Sequence, residues 1–338
     1  MMRRVAMILL SIGIVALIAV LIMGISGGRY RAVDRHWPDS AYAAPQQIAA
    51  YDFPAEQVSS LQFDVAWEDI SVLPGDGGVI HVEQWCDRAL SEQDQLQCSV
   101  QNGVLLAQTK GRRGSGGFFG WTVPHAQITV QVPADALMPL SASAGAGDLE
   151  IRGVKLGHLD LSTGAGNIRL EKLEADESVL QTSAGDILVQ DETKLTSLRG
   201  ASSVGSVDVT AQVGGQVSLE TESGDVAFTG SCGTFAASAA AGNVFGDIRQ
   251  AQTVQADSSL GDVELLIPGT SRLESVHAQT AAGDVAVGLP SGSRISLEHS
   301  TSLGDLRLED GAEFEITGQD AIRVDVSTSA GDIYLRGI

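Results

Sequence analysis

Cysteine is scarce, with 3 in 338 residues. That is too few for a disulfide-dense scaffold or a Cys-rich metal module. Aromatic residues make up only 5%, and all four Trp fall before residue 122. Positive charge is short as well: 21 Lys and Arg stand against 42 Asp and Glu, a net charge of -21. Arg3, Arg4, Arg29, Arg31 and Arg35 against Asp34 give the first 36 residues +4, so the remainder carries -25. So acidic a body argues against nucleic acid and against an electrostatic grip on anionic lipid. Catalytic signatures are missing. There is no G-x-S-x-G, P-loop or H-E-x-x-H, and His36, His81, His125, His158, His277 and His299 lack zinc-type spacing. Glycine, by contrast, is abundant at 39 residues. An ordinary compact enzyme core seldom has this composition.

One long apolar run stands at the start. Val5 to Ile25 carries no charge over 21 residues. At about 1.5 Å per helical residue it spans roughly 30 Å, the thickness of a bilayer's hydrocarbon core. It is long for a cleaved signal, although Ser26 to Gly28 supply small residues at which cleavage could occur. The reading is a transmembrane anchor over 1–28, inserted in the cytoplasmic membrane with the N-terminus in the cytoplasm and the rest outside. Residues 29–57 read as a juxtamembrane linker.

Cys86 and Cys98 flank a polar stretch, "DRALSEQDQLQ". Either they close a loop by a disulfide outside the cell or they stay reduced. Cys232, in "GSCGT", reads as a small buried residue rather than a nucleophile.

The informative pattern is a repeat. A Gly followed by a short polar residue recurs at Gly147, Gly166, Gly185, Gly205, Gly224, Gly242, Gly261, Gly283, Gly304 and Gly331. Successive spacings are 19, 19, 20, 19, 18, 19, 22, 21 and 27. Positions two and four after the Gly are apolar, as in Ile168/Leu170 and Ile333/Leu335. Position seven before it is usually apolar, and position three before it is Ser or Thr in eight of ten copies. Alternation with period 2 on both sides of a glycine predicts strand, tight corner, strand. A unit of about 19 residues cannot bury its own apolar face, but stacked units can. The expectation is an all-β parallel β-solenoid over 141–338, with residues 58–140 as atypical first coils that cap it. Lys110 to Trp121, "KGRRGSGGFFGW", interrupts those coils. It reads as a flexible insertion; contact with a membrane or partner is the functional alternative.

With the apolar N-terminal segment, the entry strand "LQFDVAWEDISVLPGD", the run "VQVPADALMPLSAS" and the repeated [ST]-x-[AL]-G-D-φ-x-φ step are all present. Together they make residues 58–338 resemble the bacterial β-strand-repeat domain of unknown function labelled "putative adhesin". Similar domains occur in envelope-stress accessory proteins of Gram-positive bacteria. The resemblance implies an extracytoplasmic, membrane-tethered β-helix, and it brings no catalytic residues.

The repeat residues admit two chemistries. Gly147-Asp148, Gly166-Asn167, Gly185-Asp186, Gly224-Asp225, Gly261-Asp262, Gly283-Asp284, Gly304-Asp305 and Gly331-Asp332 could form a carboxylate ladder for calcium or a ladder of turns. Stacked carboxylates about 5 Å apart would repel by about 1 kcal/mol per pair in water. Asn167, Ser206 and Asn243 fill the same slot without charge, which favours an Asx-type turn bonded to a nearby backbone N–H. No metal or cofactor is expected. A solenoid lyase would need cations beside acids, and Arg152, Arg169 and Lys172 are sparse. His299 stands in a usually apolar slot and reads as a tolerated interior residue. The preferred function is a non-catalytic surface interaction protein, an adhesin or scaffold with a protein or glycan partner. An envelope-stress accessory is the alternative, and a polysaccharide lyase or hydrolase the third reading. A stack ending on "TSAGDIYLRGI" would leave an open edge. Either "EDGAEFEITGQDAI" covers that edge or a second copy docks on it tip to tip.

Overall fold

The computed structural model describes residues 45–110, 125–269, 272–309, 313–316 and 321–338. The expected membrane segment, residues 29–44 of the expected linker and nearly all of Lys110 to Trp121 lie outside these. Among the described residues, no helix is long and apolar enough to cross a membrane.

The described chain is all-β apart from a single 3-10 turn at Ala55–Gln57. Its first nine strands are β1 (Gln46–Pro54), β2 (Ser60–Val65), β3 (Asp69–Gly75), β4 (Val79–Cys86), β5 (Gln97–Gln101), β6 (Val104–Gln108), β7 (Ala126–Pro133), β8 (Leu140–Ala144) and β9 (Leu149–Arg152). Residues 46–54, expected as linker, are thus strand: β1 pairs antiparallel with β4 from Gln46↔Cys86 to Pro54↔Val79. Its partly buried Tyr51 and Phe53 pack on the core, which a solvated linker would not allow.

From β2 onward the predicted coil appears. A strand runs up to the corner glycine and a second leaves it, each pairing in parallel with its copy one coil away. Inward positions form continuous apolar columns. One runs Ile70, Leu149, Ile168, Ile187, Val207, Val226, Val244, Val263, Val285 and Ile333, all at most 1% exposed. Each such side chain gains about 1.5–3 kcal/mol by burial, so stacking supplies the stability that a lone coil lacks. Size is matched between neighbours. The rings of Phe228 and Phe235 pack tilted with centres 5.2 Å apart, and Gly246 follows Phe228 in its column.

The two ends differ. At the start, β2 and β3 pair with β6 and β7, and β5 and β4 then add antiparallel, with β1 outside β4. At the other end the coils leave sequence order. The Gly283 coil pairs not with the Gly304 coil but with the Gly331 coil, as Val276↔Val324 and Val285↔Ile333. The Gly304 coil pairs with the far side of the Gly331 coil, as Leu297↔Val324 and Leu306↔Ile333. The expectation that "TSAGDIYLRGI" forms the open edge is therefore corrected: it lies inside the stack. Apolarity explains the order. The Gly331 coil turns Val324, Val326, Ile333 and Leu335 inward, each at most 1% exposed. The Gly304 coil offers His299 at the position of Val326, and burying an imidazole without a partner is costly. His299 is exposed there, not interior.

Turn ladder and candidate interaction surfaces

The corner glycines pack backbone on backbone. A Cβ on Gly185 would lie 2.0 Å from the Gly166 carbonyl oxygen, and one on Gly224 would lie 2.2 Å from that of Gly205. Their φ values of 154° and 143° are also unfavourable for any side chain. Glycine is needed here for close approach as well as for the turn.

The residue after the glycine does hydrogen-bond a backbone N–H, but one in the next coil rather than a local one. The Asn167 N–H donates to Asp148 Oδ1 (2.7 Å) and the Asp186 N–H to Asn167 Oδ1 (2.9 Å). Asn243 donates likewise to Asp225, and Asp262 to Asn243. The series continues from Asp284 to Asp262, Asp332 to Asp284 and Asp305 to Asp332, at 2.8–2.9 Å. Ser206 both donates its N–H to Asp186 (2.7 Å) and accepts from the Asp225 N–H through Oγ (3.3 Å). A short acceptor oxygen is what the slot requires, which is why Asn and Ser serve beside Asp. The first rung is Asp69, whose Oδ1 accepts from the Asp148 N–H (2.8 Å). Asp69 occupies the Gly+1 slot of a coil with Glu68 in place of glycine, so the sequence pattern missed it.

The recurring Ser or Thr forms a second ladder. Thr163, Thr182, Ser202, Thr221, Ser258, Thr280, Thr301 and Thr328 donate their hydroxyls to the carbonyls of Gly147, Gly166, Gly185, Gly205, Gly242, Gly261, Gly331 and Gly283, at 2.8–3.1 Å. The hydroxyl pattern was legible in sequence, but its partners were not. Ser178 breaks a different rule. It is fully buried in the apolar column between Leu159 and Leu198, and its Oγ has no hydrogen-bond partner.

Charged side chains pair within and between coils. Arg152 and Arg169 bond to Glu150 and Glu171, which are 5% and 8% exposed. Cations do stand beside acids here, and they are tied up as counter-ions. Lys155 and Lys194 meet Glu174, and His277 lies between Asp257 and Asp325. Lys172 takes the positive φ of a corner, 49°. A cluster locks the inserted coil in place. Arg336 reaches Glu264 and Glu309, while Arg307 reaches Asp332. Tyr334 lies between the two guanidinium groups, 5.8 and 5.9 Å from its ring centre, and its hydroxyl donates to Asp332. The Asp305 N–H and the Arg307 charge hold the Asp332 carboxyl below its usual range.

The thiols are separate. Cys86 is buried on β4 and Cys98 lies on β5, each free. β4 pairs with β1 and β7 whereas β5 pairs with β6, and of the two alternatives for Cys86 and Cys98 the structure has the unbonded thiols. Burial pushes the Cys98 and Cys232 thiols up to about 12, which suits inert packing residues and not nucleophiles.

Two hollows remain. One of about 630 Å³ runs along the connections between coils, lined by Lys194, Gln212, Cys232, Gln250, Arg272 and Glu274 among others. The other, of about 590 Å³, lies at the Gly304 end and is lined by Ile295, Leu297, Leu308, Phe314, Ile316 and Leu335 with polar neighbours. Phe314 packs on the core there, and Glu315–Ile316 pairs with Arg294 and Ile295. Residues 313–316, the described middle of the excursion "EDGAEFEITGQDAI", therefore cover part of this end.

Known proteins share the pattern. The family profile described as "Toastrack DUF4097" matches residues 58–336. Among solved structures, a "putative adhesin" from Bacteroides fragilis NCTC 9343 is 15% identical, with 86% of this chain and 96% of that one covered and a TM-score of 0.37. A "putative adhesin" from Parabacteroides distasonis ATCC 8503 is 11% identical, with 86% and 97% covered and a TM-score of 0.48. A "putative lipid binding protein" from the same strain is 12% identical, with 86% and 96% covered and a TM-score of 0.41. The comparison with curated proteins finds no match.

Proposed function

The chain belongs to the Toastrack DUF4097 family, and from that premise we propose that it is a non-catalytic interaction protein of the bacterial cell surface. In this reading Val5 to Ile25 anchors it in the cytoplasmic membrane, and the coils stand outside as an adhesin or scaffold for a protein or glycan. One observation carries the reading: the most regular polar groups of the repeat are consumed in holding coil to coil. The Asp, Asn, Ser and Thr oxygens of the two ladders are spent on backbone N–H and carbonyl groups, including Asp148, Asn167 and Thr182. What varies from coil to coil is the outward column, such as Asp160, Val179, Arg199, Ser218, Ala236, Gln255 and His277. A scaffold that holds its shape by fixed positions and varies its outer ones is suited to recognition.

The test is proximity labelling by an enzyme fused after Ile338, in intact cells. Labelling of envelope or surface components supports the reading. Labelling confined to cytoplasmic proteins overturns the placement, and release of oligosaccharides from cell-wall glycan by the purified chain overturns the non-catalytic assignment.

A further inference from the structure

Coil connections vary in length, and the variation makes a trough. Val207–Val213 is joined to Gln216–Ser223 by residues 214–215 alone, and Val226–Ser231 to Thr234–Ala241 by 232–233 alone. Val263–Leu266, by contrast, is joined to Ser275–Ala282 by residues 267–274. On the other side the Gly185 coil carries extra residues, since Val189 and Thr193 align with Val209 and Ala211. The hollow of about 630 Å³ lies over the short connections and extends from Lys194 to Glu274. It thus crosses five coils, roughly 19 Å at about 4.8 Å per step.

The trough suits a sugar chain better than a peptide. An extended peptide docks on unpaired backbone, and here the backbone is spent. Gly214 donates its N–H to Leu195, Gly233 to Gly215, Gln252 to Gly233 and Glu274 to Gln252. Side chains are what remain. Gln212, Ser231 and Gln250 make no side-chain hydrogen bond within the described chain, and both glutamines are exposed. Lys194 lies opposite Gln212 and Gln212 opposite Ser231, so these groups climb one coil per step. Buried Val213, Cys232 and Ala251 give the trough an apolar floor. A linear chain of sugars repeats at a similar step, with hydroxyl and amide groups at its edges and C–H groups on its faces. A carboxamide both donates and accepts, which matches it to an acetamido group. The protein has a net charge of -21, yet the trough holds Lys194 and Arg272 against Glu274, and Glu274 already accepts from Gln252 Nε2 (2.7 Å). Its lining therefore does not share the acidity of the body. Resting on the proposed surface-recognition role, we infer that the trough binds a linear N-acetylhexosamine chain laid along the stack. Gln212 and Gln250 bond its acetamido groups, and Ser231 bonds a hydroxyl.

The test is calorimetric titration of the full chain in detergent with β-1,4-linked N-acetylglucosamine oligomers of two and four sugars. The tetramer can span the trough and should bind about tenfold or more tightly than the dimer. Gln212→Ala and Gln250→Ala together should weaken the tetramer about tenfold, as the loss of two hydrogen bonds requires. Both side chains are exposed, so the thermal melt should stay unchanged. Gln62→Ala with Gln101→Ala, exposed near the start of the stack, should bind as wild type does. Equal affinity for dimer and tetramer, or binding indifferent to the Gln212 and Gln250 changes, overturns the inference. So does a tetramer that fails to bind at about millimolar concentration, as it would if the trough took a peptide. Surface labelling in cells without tetramer binding strikes this ligand and leaves the surface role; labelling confined to the cytoplasm strikes the surface role, whatever the titration shows.

Discussion

Asp332 donates its backbone N–H to the Asp284 carboxylate at 2.8 Å, across 48 residues of chain. A stack built in sequence order would give that acceptor to Asp305. The same exchange places Ser327 beside Gln279, where sequential order would place Ser300. A Gln279→Cys/Ser327→Cys pair should therefore form an intramolecular disulfide, and a Gln279→Cys/Ser300→Cys pair should not. Mass mapping of the oxidised peptides checks this, and the reverse outcome would restore sequential stacking.

Ser178 is a built-in defect. Its buried Oγ lacks a partner in a column of apolar residues. An unsatisfied buried hydroxyl costs about 1–3 kcal/mol. Ser178→Val is expected to stabilise by about 1 kcal/mol and to raise Tm by roughly 2–4 °C. A lowered Tm would mean that the column has no room for the methyl groups.

Gly224→Ala should do local damage. The new Cβ would meet the Gly205 carbonyl oxygen at 2.2 Å, at a φ of 143°. Relief requires the two coils to part, at about 2 kcal/mol or more. Amide exchange should accelerate in the Gly205 and Gly224 coils and stay unchanged near β2. Wild-type exchange throughout would contradict the close-approach account.

Asp69 gives the stability a pH dependence. Burial is the largest cause raising its carboxyl to about 6; the Asp148 N–H and His125 pull it down, while the Asp148 and Glu68 charges push it up. In the unfolded chain it would titrate near 3.9. The folded state therefore holds this proton more tightly. The resulting stability is present below about pH 4 and is lost as pH rises through about 6. Asp69→Asn keeps an acceptor for the Asp148 N–H and removes the charge. It should gain on wild type as pH rises from 4 to 7, read as the difference in Tm. Parallel profiles would refute the assignment.

Much of this architecture was legible because a solenoid writes its period into the chain. The corner glycines, the alternating apolar columns and the hydroxyl column each recur locally, where a sequence shows them. Pairing does not. Val285 meets Ile333 as readily as it would meet Leu306, since all three satisfy the same slot. The signal for the true order was His299, an imidazole in a column of aliphatics, which marks the coil that can least afford an interior place. Asp69 was hidden because Glu68 replaces its glycine. The partners of the Asx slot were misplaced by one coil, since a local turn and a stacked rung ask for the same side-chain oxygen. The two alternatives for Cys86 and Cys98 stayed open because spacing along the chain does not report which strands adjoin.

The central claim is that the Gly-Asx ladder is structure and not a cation site. It is tested by replacing Asp225, Asp262 and Asp284 together with Asn and measuring Tm with calcium and with chelator. Asn167 and Asn243 already accept the same bond, so the variant should melt close to wild type, and calcium should leave both unchanged. A bound cation would add about 2.7 kcal/mol at a hundredfold excess over its Kd. A wild-type Tm that rises by several degrees with calcium, and a triple variant that does not respond, would contradict the account.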